Sequence, residues 1–188
     1  YIKNVLQKLL DTYTINDILK AMNKLYIVCV PIGKDDYPQK IFESINATGA
    51  KLTASDLIRN FILMPIRSDL QDKYYEKYWK RLEQLIDSDS KKLEAFFRFF
   101  IMAKRMSLIN KSAVYRAFTE WYDENVATYG EEGVFKEIVK YASYYNAIYK
   151  APVDSLDSAL HKAVEEFRFI LSDMPAPLLM ELYAIHKS

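Results

Sequence analysis

Apolar side chains recur every three or four residues along most of this chain, the period of a helix with one buried face. Tyr1, Ile2, Val5, Leu6, Leu9 and Leu10 set it over 1–11. Thr14 stands where an N-cap is needed for a second helix over 15–24, in which Ile15, Ile18, Leu19 and Met22 repeat the spacing. The stretch 25–32 (Leu-Tyr-Ile-Val-Cys-Val-Pro-Ile) breaks the period. It is rich in β-branched residues, apolar on both faces and followed by Gly33-Lys34-Asp35-Asp36, which predicts a strand covered on both sides. A lone strand cannot satisfy its own backbone groups, so its partners are expected upstream of residue 1 or in another chain.

Helical spacing resumes over 36–47 and stops toward Gly49, a residue suited to the positive-φ position after a helix. Thr53 then N-caps a helix to about 64, with Asp56 at capping-box spacing and Pro65 at the stop. Further helices are predicted over 72–86, from Ser88 or Ser90 through 103, and over 111–127, 131–149, 155–172 and 178–186. Tyr75, Tyr78, Trp79, Leu82, Leu85 and Ile86 share one face of the first of these. Leu93, Phe96, Phe97, Phe100, Ile101 and Ala103 form the face of the second. Tyr141, Tyr144, Tyr145 and Tyr149 form a packing stripe. The fold class expected is mainly α: an irregular helical bundle with one short strand remaining from a truncated α/β domain. The division is placed near residue 66, with 1–66 the α/β remnant and 67–188 a helical domain.

Composition narrows the function classes. Hydrophobic residues make up 51% of the 188, enough for a substantial core, and 15 Tyr with 10 Phe make that core aromatic. Twenty-six Lys and Arg against 25 Asp and Glu give a net charge of +1, which does not announce a nucleic-acid binder. One cysteine, Cys29, excludes an internal disulfide framework and fits a reducing, cytoplasmic setting; its apolar strand context marks it as buried and structural. No apolar run reaches the roughly 18 residues of a membrane span. The opening Tyr1, already inside an apolar pattern, reads as the start of a piece cut from a longer protein.

Few residues suggest chemistry by spacing alone. His161 and Glu165 have the i, i+4 spacing of two metal ligands, but no third is indicated and an edge-of-core histidine fits better; His186 lies in a tail. Lys73, Lys77, Lys80 and Arg81 interleave with Tyr74, Tyr75, Tyr78 and Trp79, the constellation that stacks on bases. Asp69, Asp72, Glu76 and Glu83 dilute it. Lys104-Arg105 with Lys111 and Arg116 is a second such run. Glu131 and Glu132 are adjacent and point apart on a helix, which argues against paired-carboxylate catalysis.

The stretch 41–60, Ile-Phe-Glu-Ser-Ile-Asn-Ala-Thr-Gly-Ala-Lys-Leu-Thr-Ala-Ser-Asp-Leu-Ile-Arg-Asn, is the most specific. Capping and core packing account for Gly49, Leu52, Thr53, Asp56 and Leu57, but not for Asn46, Arg59 or Asn60. Asp56, Arg59 and Asn60 share one helix face, where a carboxylate, a guanidinium and an amide orient a phosphate or form a local ion pair. The wording resembles the signature of the N-terminal, nucleotide-hydrolysing half of GmrSD-type modification-dependent restriction endonucleases, a half related to ParB and sulfiredoxin domains.

The resemblance implies a nucleoside triphosphate and Mg²⁺ for the parent protein, DNA as its target, and a nuclease half of HNH type. It also implies a nucleotide-site lining or support built from Asn46, Gly49, Lys51, Asp56, Arg59 and Asn60. The family's Asp-Gly-Gln-Gln-Arg motif is absent, no histidine has an HNH context, and Thr48 departs from the basic residue many members carry. The chain is thus expected to match the C-terminal portion of that half with the helices that follow, to lack both catalytic motifs and to be inactive alone. The alternative is a non-enzymatic helical module that binds a protein partner through its Tyr and Phe faces; a third is a DNA-binding helical module.

Overall fold

The computed structural model describes residues 2–26, 29, 31, 41, 52–150, 164–167 and 175–186. The chain divides into two units, Tyr1–Pro38 and Gln39–Ser188.

In the first unit, α1 (Ile2–Leu10) and α2 (Ile15–Met22) are joined by a tight turn. Thr14 starts α2 through a reciprocal capping box. Its hydroxyl accepts from Asp17 N at 3.3 Å, and the Asp17 carboxylate accepts from Thr14 N at 3.1 Å. Two short helices cannot enclose a core, and no residue of α2 is buried. Leu9, Tyr13, Ile18, Ala21, Met22 and Leu25 line an open apolar groove instead.

Half of the strand expected over 25–32 falls outside the described residues, and the other half, Leu25, Tyr26, Cys29 and Pro31, is not in a strand. Cys29 is exposed, which corrects the buried placement. That expectation needed flanking layers over the cysteine, and the described residues supply none. The helix expected over 36–47 also lies outside the described residues, apart from Ile41.

The second unit contains α3 (Ala54–Leu63), α4 (Ser68–Tyr74), a π-helical turn (Tyr75–Trp79), α5 (Lys80–Ile86) and α6 (Ser90–Arg105). A 3₁₀ turn (Lys111–Ala113), α7 (Val114–Tyr149) and α8 (Ala176–His186) follow. The described residues are mainly helical and contain no strand. His186, expected in a tail, is the last residue of α8, whose apolar positions hold that end of the chain against the core.

Helix α7 is the spine, packing against α3, α5, α6 and α8. The helices expected over 111–127 and 131–149 run together in it across a break at Gly130, whose φ of 66° and ψ of 167° are not helical. The core is aromatic. Phe100 of α6, fully buried, meets Trp121 at 4.9 Å and Tyr141 at 5.4 Å between ring centroids, each edge to face. Trp79 stacks on Phe97 at 5.8 Å, and Phe61 of α3 sits edge-on to Tyr122 at 5.1 Å. Helix α3, on the α/β side of the division placed near residue 66, shares this core through Ile58 and Ile62.

Helix ends are tied by side chains, because their terminal backbone groups have no partner within the helix. Gln71 Nε2 donates to the Leu63 and Ile66 carbonyls at 3.2 and 3.0 Å, closing α3. Asn146 Nδ2 donates to the Leu85 carbonyl at 2.8 Å near the end of α5. Asp89, between the two serines expected to start α6, is its N-cap and accepts from Lys91 N and Lys92 N. Asp87 bridges Lys92 and Lys150 at 2.7 and 2.6 Å. Hydrogen bonds from Lys150 first, then Lys92, hold its carboxyl at a pKa of about 2.

Candidate functional site

The signature face lies at the start of α3. Thr53 is extended, with φ −71° and ψ 162°, so its side chain reaches back over the first turn of the helix. Its hydroxyl donates to Asp56 Oδ2 at 2.7 Å, and Asp56 Oδ2 also accepts from Thr53 N at 3.2 Å. With its one proton given to Asp56, Thr53 Oγ1 acts as acceptor toward Ser55 Oγ at 2.9 Å and Ser90 Oγ at 3.2 Å. Ser55 is buried, and Ser90 opens α6, so the hydroxyl at the N-cap of α3 touches the first residue of α6.

The other oxygen of Asp56, Oδ1, faces Arg59 Nη2 at 3.6 Å; the two side chains are 31% and 36% exposed. A pair this open contributes about 0–1 kcal/mol. Beyond that one contact the Arg59 guanidinium has no partner among the described residues. The Asn60 side chain, half-buried one residue on, makes no hydrogen bond to them either. Asp56 and Arg59 thus meet in the first turns of α3, with Asn60 one residue on in the same helix: Asp56 is engaged in the cap, whereas Arg59 and Asn60 retain donors. Asn46, Gly49 and Lys51 lie outside the described residues, so their part in the corner is not described.

The interleaved Lys and Tyr run forms no stacking platform. Tyr78 and Trp79 are buried, and Tyr74 packs half-buried against Phe135 at 5.3 Å. Two of its cations are neutralised, Lys77 by Glu132 at 2.9 Å and Lys80 by Glu76 at 2.6 Å. The second run is answered likewise at three of its four cations, Lys104 by Glu137, Arg105 by Glu124 and Arg116 by Glu120, while Lys111 has no carboxylate partner among the described residues.

Two clusters escaped the sequence reading. Glu132, just past the Gly130 break, accepts from the Tyr78 hydroxyl in a short hydrogen bond, from Lys77 at 2.9 Å, and pairs with Lys136 at 3.3 Å. The Tyr78 hydrogen bond, then Lys77 and Lys136, lower its carboxyl to a pKa of about 2. Only the Glu132–Lys136 spacing of i, i+4 was legible beforehand. In the second cluster Lys104 Nζ lies 3.8 Å from the Tyr141 ring centroid and 2.5 Å from Glu137, while the Tyr141 hydroxyl donates to Glu181 at 2.8 Å. Burial first, then Glu181, pushes the Tyr141 phenol well above its ordinary range.

His161 lies outside the described residues. Among the described ones, no group of three or more His, Cys, Asp or Glu is arranged to hold a metal, and no helix is long and apolar enough to cross a membrane. Comparison of the chain with protein-family models, with curated proteins and with solved structures finds no match.

Proposed function

We propose that this chain belongs to a GmrSD-like, NTP-dependent DNA restriction or phage-defence protein of the cytoplasm, and that the start of α3 supports its nucleotide site. One observation carries the reading: Arg59 and Asn60, neighbours at half-buried positions, hold hydrogen-bond donors that neither the capping box nor the core uses. A guanidinium with donors to spare suits a phosphate oxygen, and Asp56, already an acceptor from Thr53, steadies it. In this reading Asn46, Gly49 and Lys51 complete the lining. The helical unit couples nucleotide state to a nuclease half, and Mg²⁺ with NTP, and DNA, are the parent's cofactor and target. Lacking the Asp-Gly-Gln-Gln-Arg and HNH motifs, the chain alone neither hydrolyses nucleotide nor cuts DNA. The rival interaction module relied on Tyr and Phe faces, and those faces are largely core: Phe96, Phe100, Tyr141 and Tyr144 are buried.

The test is titration of the chain with fluorescent analogues of the four common NTPs and Mg²⁺, for wild type, Arg59→Ala and Asn60→Ala. Binding of at least one analogue is expected, weakened about tenfold by Arg59→Ala, the worth of one hydrogen bond to a charged group. The melting temperature should be nearly unchanged. Absence of binding, equal binding by both variants, or turnover by the chain alone overturns the reading.

A further inference from the structure

Most cations of the helical unit are spoken for. Among its described residues, only Lys73, Arg81, Lys91, Arg98 and Lys111 lack a carboxylate partner. Three of those five, Lys91, Arg98 and Lys111, line a single cavity of about 440 Å³ between α6 and the 3₁₀ turn that leads into α7. We propose that this cavity binds a small organic anion with an apolar, one- or two-ring body. The inference is independent of the nucleotide reading at α3.

The cavity has the composition of a ligand site rather than of a solvated helix face. Phe99, Met102 and Val114 are buried and, with half-buried Ala95, give it an apolar lining. Aromatic and thioether groups suit a ring. Its volume falls in the range of about 300–1,000 Å³ typical of small-molecule pockets, which combine an apolar lining with a few placed polar groups.

The cations stand at different depths. Lys91 and Lys111 are exposed, whereas Arg98 is half-buried and fixed, its Nε donating to the Ile109 carbonyl at 2.8 Å. That bond holds the connection between α6 and α7 and orients the guanidinium before any ligand arrives. It also draws Arg98 away from its natural partner: Glu94 is one turn back at i, i+4, yet no ion pair forms between them. Glu94 lines the same cavity without a cationic partner. Three cations and one carboxylate leave an excess of positive charge for the ligand's anionic head, and Glu94 can accept from a hydroxyl or amine elsewhere on it. Carboxylate and phosphate heads share this chemistry.

The experiment is isothermal titration of the chain with phenyl phosphate, with phenylacetate and with neutral benzyl alcohol. Wild type, Lys91→Gln, Lys111→Gln, the double variant, the control Lys73→Gln and Ala95→Phe, whose ring intrudes on the cavity, are compared. The two exposed lysines make no contact that the fold requires, so their variants should melt with wild type. At least one anion is expected to bind, with benzyl alcohol bound at least tenfold more weakly. The double variant should lose about tenfold or more, as expected from removing hydrogen bonds to a charged group. Ala95→Phe, which narrows the cavity, should weaken binding, and Lys73→Gln, whose side chain does not line it, should change nothing. Which anion binds identifies the head group. Binding of neither anion, equal binding by the double lysine variant, or benzyl alcohol binding as tightly as the anions overturns the proposal.

Discussion

Gly130 lies within α7 with φ 66° and ψ 167°, a conformation in which an L side chain is strained. A Cβ built there meets nothing within 4 Å, so replacing this glycine by alanine tests the backbone alone, without a clash. A non-glycine residue in such a region costs about 1–3 kcal/mol. Alanine also narrows the unfolded ensemble, which offsets about 0.4–1 kcal/mol. Gly130→Ala should therefore destabilise the helical unit by about 1–2 kcal/mol and lower its melting temperature by roughly 2–8 °C.

An unbroken helix predicts the opposite sign, because alanine in a helix interior is about 1 kcal/mol better than glycine. Gly133 supplies a second reading of the same break. A Cβ added there would stand 2.8 Å from Tyr129 Cβ, whereas residues four apart on a regular helix have Cβ atoms about 5–6 Å apart. Gly133→Ala should therefore also destabilise. Thermal melts followed by circular dichroism, with urea denaturation beside them, measure both. A melting temperature raised by Gly130→Ala would refute the break.

Two further outcomes follow from the packing and the charge network. Phe100→Ala, at a fully buried position edge-on to Trp121 and Tyr141, should cost about 3–5 kcal/mol in urea denaturation, and a loss below about 1.5 kcal/mol would remove Phe100 from the core. Glu132 titrates near 2 in the fold against 4.5 ordinarily, so its stabilisation is present above 4.5 and is lost as pH falls through 2. The difference in melting temperature between wild type and Glu132→Gln should accordingly be full near neutral pH and close across that window. A difference independent of pH would place the effect elsewhere.

The signature residues show how far one helix can be read. Thr53 and Asp56 are three residues apart, and their reciprocal bonds need nothing beyond α3, so spacing alone located the cap and the face it starts. The same holds for Thr14 as the N-cap of α2, and for the apolar periodicity that marked Trp79, Phe96, Phe100 and Tyr141 as core. Each is a property of residues within about one helical turn, where geometry leaves little choice. Cys29 was misread because burial of a strand is decided by its partners, not by its own apolar pattern.

The chain's own order of residues thus determined its helical class, two of its helix starts and the inward face of most helices. Tertiary structure alone decided the rest. It set Glu132 against Tyr78, 54 positions away, and Lys104 against Glu137, 33 positions away. It carried α7 across Gly130, held Arg98 to the Ile109 carbonyl rather than to Glu94, and gathered Lys91, Arg98 and Lys111 around one cavity. The physical reason is reach. Caps and periodicity are satisfied within a turn of helix, whereas charge partners and cavities depend on which helices meet, and the packing of many large aromatic side chains decides that.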